Sequence, residues 1–419
     1  MNNRREFIKQ LAGGALLLSS PALLNFMKEN NIPIRAITKG PEYHWFSYYD
    51  KLQFDPTNRY VLGMRVDFEF RSPLQDDVIK LGYIDLHDND KWVEFGESRS
   101  WGWQQGCMLQ WIPGSGSEVI WNDRRGDKFI SIIKNIKTGH ERVIDKAIYS
   151  LGPDGVNAVS TDFERIQDYR KGYGYPGVKD KYKHQNAPKN SGIYHINLET
   201  GISRLIISYH EILDIPYPGG DISKKWHWFN HLLVSPDGER FIFLNRWKDE
   251  PTSGGRWLTR MFTANMDGSD VYLLDPSGRT SHFIWKDPSH ITAWTHPARK
   301  NPGFWEFKDK SRQIKQIGKG VMTQNGHNTY VPCTNNDWIL NDTYPQPETR
   351  EQIVYMFQES TGKKVELGRF HSPPEYTGEW RCDTHPRSSN DGKLVSIDST
   401  HEGNGRQIYL IDISEIFKV

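Results

Sequence analysis

Cysteine is scarce in this chain, with three residues among 419: Cys107, Cys333 and Cys382. At most one disulfide bridge can form, which excludes a disulfide framework as the main source of stability. Cys382 and His385 form a Cys-x-x-His pair, but one such pair falls well short of a four-ligand zinc motif. A hydrophobic core must therefore hold the fold, and the chain is long enough to bury one.

A charge excess of one sign and long apolar runs are also absent. Lysine and arginine number 53 and aspartate and glutamate number 52, which gives a formal net charge of +1. This balance indicates neither a nucleic-acid partner nor a charged membrane surface. The apolar run at residues 11–18 is too short for a transmembrane helix. An integral membrane protein is therefore not expected once the N-terminal segment has been removed.

The N-terminus resembles a twin-arginine export signal. Arg4 and Arg5 precede Phe7, Ile8 and the short apolar run. We interpret residues 1–30 as a signal of this type, which predicts a periplasmic or secreted protein. The alternative is an amphipathic helix with ordinary basic residues.

Hairpin turns, by contrast, are plentiful. Seven stretches share one plan, in which an apolar strand, a turn of Pro, Asp, Gly or Asn and a second apolar strand follow one another. Their first turn residues are Asp55, Ile112, Gly152, Ser235, Lys286, Val331 and Ser389, which lie about 56 residues apart on average. Long helical periodicity is missing. The pattern predicts an all-β, seven-bladed β-propeller with TolB/WD40-like blades, and six or eight blades is the fallback.

The predicted propeller forms one domain over residues 35–419. One gap between hairpins is longer than the others, and residues 162–190 within it are rich in Tyr, Gly, Lys and Asp. We expect this segment, called the insertion below, to be a loop. Long loops in compact domains are usually functional or disordered.

Four consecutive repeats carry a histidine four residues before the first turn residue: His231, His282, His327 and His385. The first strand of a propeller blade lines the central channel, so an equal offset is expected to bring the four imidazoles to one height. Packed imidazoles need partners, and a divalent metal ion is a natural one. The alternative is four structural histidines, although four of seven equivalent positions is improbable by chance.

Further polar groups are predicted at the same end of the channel. The second strands end there with Arg65, Asp123, Arg124, Arg246, His296, Asp342 and His401, and Gln324, Cys382 and Asp383 lead into two blades. In the aromatic stretch 98–111, Trp101 and Trp103 could stack on sugar rings, and Gln104 and Gln105 could bind hydroxyls. The alternative for the two tryptophans is packing against the neighbouring blade. Arg124 and His227 complete the predicted substrate-binding set.

The motifs "HWFNHLLVSPDGERFIFLNRW", "TQNGHNTYVP" and "HPRSSNDGKLVSIDSTHEG", together with the N-terminal signal, resemble the oligogalacturonate lyases. Ulvan lyases share the architecture. The likeness covers most of the chain after about Pro41. It implies a lyase that binds a manganese-type ion through histidines and a glutamine in the central channel and uses another histidine as base.

Carried over residue by residue, the resemblance implies His282, Gln324 and His327 as metal ligands. A second family histidine is replaced here by Thr329, and His385 could substitute for it from the next blade. His231 falls at the position of the base. Arg246, at the end of the neighbouring strand, could bind the substrate carboxylate, because arginine can do so bidentately.

Three functions compete at this point. The first is metal-assisted β-elimination on uronate-containing oligosaccharides, with manganese as the expected ion and zinc or calcium as alternatives. The second is a non-catalytic propeller that binds carbohydrate or protein and holds a structural metal. The third is a hydrolase, which needs a carboxylate pair. Asp123, Asp342 and Asp398 are available for it but do not recur in register.

Overall fold

The computed structural model describes residues 32–46, 48–252, 254–298 and 300–417. The export signal expected at residues 1–30 lies outside the described residues and stays a prediction. Within the described ranges, no helix is both long and apolar enough to cross a membrane.

The described strands form seven four-stranded antiparallel sheets, which confirms the seven-bladed propeller. The first strand is β1 (Ile34–Ala36). Blade 1 consists of β2 (Tyr43–Trp45), β3 (Tyr60–Val66), β4 (Ile79–Asp85) and β5 (Lys91–Ser98). Blade 2 consists of β6 (Gln110–Trp111), β7 (Glu118–Arg125), β8 (Lys128–Asn135) and β9 (Glu141–Ile144). Blade 3 consists of β10 (Ser150–Leu151), β11 (Asn157–Ser160), β12 (Gly192–Asn197) and β13 (Ser203–Ser208).

The strands of blades 4 and 5 are β14 (Trp226–Val234), β15 (Arg240–Lys248), β16 (Leu258–Asn265), β17 (Tyr272–Gly278); and β18 (Phe283–Asp287), β19 (His290–Thr295), β20 (Gly303–Lys308), β21 (Ile314–Ile317). Those of blades 6 and 7 are β22 (Thr329–Tyr330), β23 (Trp338–Asn341), β24 (Glu351–Gln358), β25 (Lys364–His371); and β26 (Arg387–Ser388), β27 (Leu394–Ser399), β28 (Gln407–Asp412). Short 3₁₀ turns occupy Glu211–Asp214 and Gly378–Trp380.

The first strand completes the last blade. β1 pairs antiparallel with β28, with Ile34 opposite Ile411 and Ala36 opposite Tyr409. The Ile37 amide extends this pairing by donating to the Ile408 carbonyl at 2.9 Å. The outer edge of β28 is thereby covered by the other end of the chain, which closes the ring of blades.

The predicted turns locate the blades well. In six blades the first turn residue lies between the first and second strands, whereas Lys286 is still part of β18. Apolar side chains of the strands form the cores within and between blades, and Trp45, Trp111 and Trp121 are among the largest fully buried side chains.

The insertion differs from the predicted loop because it begins with a helix, α1 (Phe163–Tyr169). Phe163, Ile166 and Tyr169 are spaced three residues apart and are all buried, so the helix has one apolar face. Arg165 pairs with Asp180 at 2.8 Å, and both side chains are almost fully buried. Arg165 Nε also donates to the His227 carbonyl in β14 at 2.7 Å. These contacts fix the insertion to blade 4.

Candidate active site in the central channel

The four register histidines all lie at the inner ends of their blades and are buried. Their exposed fractions are 5% for His231, 4% for His282, 2% for His327 and 4% for His385. His231 and His385 adopt positive φ angles of 50° and 39°, a region that non-glycine residues seldom occupy. In β14 the pairing with β15 shifts register between Asn230 and Leu233. An irregular strand therefore orients His231, and such local strain is common at functional sites.

Tyr48 is the ring that all four histidines share. Its ring centroid lies 4.9 Å from that of His231, 5.1 Å from His385, 6.0 Å from His327 and 6.4 Å from His282. The His231 ring stacks on it with an interplanar angle of 13°. The His327 ring centroid lies 4.2 Å from that of His282 and 4.3 Å from that of His385. The structure thus brings together the four imidazoles that the sequence placed in register.

Side-chain oxygens orient two of these rings. His327 Nδ1 lies 3.0 Å from each carboxylate oxygen of Asp342, and Thr384 donates to the same carboxylate at 2.6 Å. His282 Nδ1 lies 3.0 Å from Asn325 Oδ1. An oxygen facing Nδ1 favours a proton there and leaves the Nε2 lone pair for a metal ion, which is the usual support of a metal-binding histidine.

A carboxylate completes the cluster. Potential ligand atoms of His327, Asp383 and His385 all lie within 4.8 Å of one another. His385 Nε2 is buried and has no hydrogen-bond partner in the described part of the chain, and Asp383 Oδ2 is 3.9 Å away. Arg381 donates to both Asp383 oxygens, at 2.8 and 3.1 Å. A buried nitrogen without a partner beside a carboxylate fits a divalent cation.

Burial controls protonation in the channel. It lowers the pKa of His231, His282 and His385 well below the ordinary value of 6.5, and nearby Arg246 lowers that of His231 further. These three rings are therefore neutral at neutral pH, as a ligand or a general base must be. Burial raises the pKa of Tyr48 and Tyr149, so both hydroxyl groups keep their protons.

His231 has a polar environment distinct from that of the other three rings. Gln105 Nε2 lies 3.2 Å from His231 Nδ1, and the Tyr48 hydroxyl lies 3.4 Å from Nε2. The Tyr149 hydroxyl accepts the His231 backbone N–H at 2.9 Å and contacts Gln105 Oε1 at 2.9 Å and Asn230 Oδ1 at 3.0 Å. Gln105, expected to bind sugar hydroxyls, instead contacts the candidate base.

Arg246 is buried at 3% exposure, and its Nε and Nη1 atoms find no acceptor among the described residues. Burial, together with the nearby charge of Arg170, lowers its pKa to about 9. A guanidinium group in this state favours an anionic ligand.

Gln324, the ligand implied by the resemblance, lies at an exposed position. Its side-chain amide exchanges two hydrogen bonds with that of Gln346, at 3.0 and 2.9 Å. Asp383 rather than Gln324 accompanies the histidines in the cluster described above.

Trp101 and Trp103 are 0% and 2% exposed, which matches packing against the neighbouring blade rather than sugar stacking. Their ring nitrogens donate to the carbonyls of Asp77 and Arg71, and both rings contact Trp45. Gln104 donates to the carbonyls of Glu379 and Arg381, so it supports the segment that carries Asp383.

His227 and Arg124 also have structural partners. His227 Nε2 lies 2.9 Å from the Ile222 carbonyl, and burial lowers its pKa to about 4. Arg124 donates to the carbonyls of Gln75 at 2.7 Å and Gly177 at 3.4 Å, so it links blade 2 to the insertion. Neither side chain is needed to explain the chemistry of the histidine cluster.

Several tyrosines in the channel escaped the sequence analysis. Tyr48 and Tyr49 precede the first turn, and Tyr344 follows Asp342 by two residues. Tyr49 and Tyr344 both contact His327, with ring centroids 5.3 and 5.8 Å apart. The signal that could have found Tyr48 is its position just ahead of Lys51, the blade 1 equivalent of the histidines.

No protein-family model and no curated protein matches this sequence. Solved structures do match. An oligogalacturonate lyase from Vibrio parahaemolyticus is 14% identical, with a TM-score of 0.66 over 93% of this chain and 96% of that one. An oligogalacturonate lyase in complex with manganese is 13% identical, with a TM-score of 0.65 over 92% of this chain and 94% of that one.

A structure from an analysis of two prolyl endopeptidases is 11% identical, with a TM-score of 0.51 over 90% of this chain but 49% of that one. Identities this low show likeness of fold alone, and propellers support many activities. The resemblance that the motifs predicted is thus confirmed for the fold: this chain is a seven-bladed β-propeller similar over nearly its whole length to the oligogalacturonate lyase structures.

Proposed function

We propose that this protein is a lyase that cleaves oligogalacturonate-type, uronate-containing oligosaccharides by metal-assisted β-elimination in the central channel. The observation that carries the proposal is the division of four buried histidines around Tyr48. His327 contacts both His282 and His385, and ligand atoms of His327 and His385 lie within 4.8 Å of Asp383. The fourth histidine, His231, stacks on the tyrosine within reach of Gln105. This elimination requires a metal site and, next to it, a separate general base.

His282, His327, His385 and Asp383 would hold the metal ion. The donor set of imidazole nitrogens and one carboxylate suits manganese and also zinc. When bound, the ion would neutralise the uronate carboxylate and stabilise the enolate-like charge that follows loss of the α proton. Asp342 and Asn325 would keep two of the rings oriented through Nδ1.

His231 is the proposed base, and Gln105 sets the nitrogen that accepts the proton. With the amide oxygen of Gln105 turned to His231 Nδ1, that nitrogen carries the proton and Nε2 is free to act as base. In that orientation Tyr149 would accept from the Gln105 amide, across the 2.9 Å contact of their present hydrogen bond, and would keep donating to Asn230 Oδ1. In the structure Gln105 Nε2 faces His231 Nδ1 at 3.2 Å, an amide orientation that leaves the ring proton on Nε2, so the proposal requires the amide to turn over before His231 can act as base.

Arg246 would bind a substrate carboxylate through its buried, unpaired nitrogens. Periplasmic or secreted localisation belongs to the same proposal and rests on Arg4 and Arg5. Cell fractionation with those two arginines replaced by lysine tests it, since export should be lost.

A non-catalytic propeller with a structural metal is the second candidate. The observation in its favour is the burial of all four histidines to 5% exposure or less. Replacing the base separates the two candidates. His231→Ala should lower the elimination rate about 10²- to 10⁴-fold and leave metal content unchanged.

The matched control is His195→Gln, which changes a half-buried histidine that contacts Asn157 in blade 3. Equal rates for His231→Ala and the unmodified protein would exclude His231 as the base. An unmodified protein that binds uronates without cleaving them would support the second candidate.

A further inference from the structure

Two guanidinium groups from different elements meet at one aromatic ring. Arg170 follows the helix of the insertion directly, and its guanidinium carbon lies 5.0 Å from the Trp257 ring centroid. The guanidinium carbon of Arg246, in β15, lies 6.0 Å from the same ring. Arg170 also lies 3.6 Å over Tyr173. Aromatic faces stabilise these cations, but they do not satisfy their N–H groups.

Both arginines keep buried nitrogens without an acceptor. These atoms are Nη1 of Arg170 and Nε and Nη1 of Arg246, counted over the described residues. Like charges in this position repel each other, and Arg170 accordingly contributes to the lowered pKa of Arg246. Arg246 is buried and Arg170 is partly exposed, but guanidinium nitrogens that are buried without an acceptor are costly unless an anion binds them.

Lys248 is a third cation beside the Trp257 ring, and its ammonium group does have hydrogen-bond acceptors. Its ammonium group lies 5.9 Å from the Trp257 centroid and donates to the carbonyls of Tyr169 at 2.6 Å, Gly254 at 2.8 Å and Thr252. The arginine pair has no comparable set of acceptors. This difference in hydrogen bonding indicates that the two arginines bind a ligand rather than stabilise the fold.

We infer that Arg170 and Arg246 together form a carboxylate-binding site, to which the insertion contributes one of the two guanidinium groups. The inference rests on the proposed function for the identity of the anion, a sugar carboxylate, and adds Arg170 as a substrate-binding and specificity-determining residue. Carboxylates match the planar guanidinium fork, and two forks can bind both oxygens.

The site adjoins the base and the metal cluster through Tyr173. The Tyr173 ring lies edge-on to His231 with centroids 5.7 Å apart, and its hydroxyl accepts from Arg381 at 2.9 Å. Arg381 in turn holds Asp383. An acidic sugar bound by the arginine pair is therefore next to the residues proposed for proton abstraction.

Binding calorimetry with D-galacturonate and its methyl ester tests the inference. The full-length protein is treated with chelator, so no elimination takes place and the metal contributes nothing. The acid should bind more tightly than the ester. Arg170→Gln should lower the affinity for the acid about tenfold or more and leave the affinity for the ester unchanged. Arg204→Gln, at an exposed position in β13, is the matched control and should bind as the unmodified protein does.

Arg170→Lys keeps the positive charge but loses the bidentate guanidinium group. Its affinity for the acid should therefore lie between those of the unmodified protein and Arg170→Gln. It also serves if the glutamine variant fails to fold. Unchanged affinity of both Arg170 variants for the acid, or an equal loss for acid and ester, would overturn the inference. Selective binding of the acid that depends on Arg170, in a protein that cleaves no uronate, would overturn the lyase proposal and leave the carboxylate site standing.

Discussion

At the residue scale, the partner of each imidazole determines what that ring can do. Four histidines share one register position, but Asp342 orients His327 and Asn325 orients His282, whereas His231 faces Gln105. Oxygen partners prepare a ring to bind metal, whereas the atom of the Gln105 amide that faces Nδ1 determines whether His231 Nε2 carries a proton or a free lone pair. The two roles that we propose for one residue type therefore follow from its surroundings.

The metal set leads to a prediction that separates Asp383 from Gln324. Asp383→Asn removes the negative charge nearest His385 Nε2, so the affinity for manganese should fall by about tenfold or more. Gln324→Ala removes an exposed amide that pairs with Gln346 and should leave the affinity unchanged. Titration calorimetry with manganese measures both. A large loss for Gln324→Ala with none for Asp383→Asn would restore the ligand set implied by the family resemblance.

His227 leads to a prediction about acid stability. The folded ring has a pKa of about 4, because of burial, against an ordinary value of 6.5. The unfolded chain therefore binds this proton over a range in which the folded chain does not, and the free energy of unfolding falls as pH drops from 6.5 towards 4. For one such group the loss is on the order of 3 kcal/mol.

Urea unfolding of the unmodified protein and His227→Gln at several pH values measures this effect. The variant should lose less stability between pH 6.5 and 4 and bind uronates normally. Equal pH dependence of the two proteins would show that His227 titrates normally. A loss of uronate affinity in His227→Gln without a loss of stability would show that His227 binds substrate, as the sequence predicted.

At the element scale, the pairing of β1 with β28 closes the ring. Ile37→Pro removes the N–H that donates to the Ile408 carbonyl, whereas Ile37→Val keeps it and trims one methylene group. The proline variant should lose about 1–3 kcal/mol more unfolding free energy than the valine control. Denaturant midpoints measure the difference. Equal stability of the two variants would mean that this closure contributes little.

Blade order and histidine register could be predicted from sequence because both depend on local patterns. Turn residues at Ser235 and Ser389 mark hairpins, and an equal offset carries a side chain to an equivalent place. Helix α1 was missed because its apolar face spans only seven residues among turn-forming ones. Tyr48 and Asp383 belong to segments between strands, where no periodicity indicates which side chains meet.

At the scale of the whole molecule, the fold supplies a channel but not an activity. A prolyl endopeptidase structure shares the architecture with a TM-score of 0.51, so the chemistry must be decided by the side chains in the channel. Here those side chains are histidines, tyrosines and arginines contributed by the blades and the insertion. A ligand that binds only this folded arrangement is expected to stabilise the ring of blades.

Metal binding should therefore stabilise the whole propeller. An ion that binds only the folded state, present at about 100 times its dissociation constant, adds about 2.7 kcal/mol to the free energy of unfolding. We expect chelator to lower the melting temperature and added manganese to restore it, with a smaller change in Asp383→Asn. Calorimetric scans check this. A melting temperature indifferent to both treatments would argue against a metal site in the channel.

The most direct test of the central claim is ultraviolet absorbance during incubation with a panel of uronate oligosaccharides, with chelator and with manganese. Elimination removes the C5 proton, breaks the C4–O4 bond to expel the O4 substituent and so creates a C4=C5 double bond, which hydrolysis and binding do not. The account predicts a rise with oligogalacturonates that chelation abolishes, manganese restores and His231→Ala lacks. A flat trace across the panel with manganese-loaded protein would contradict the lyase proposal.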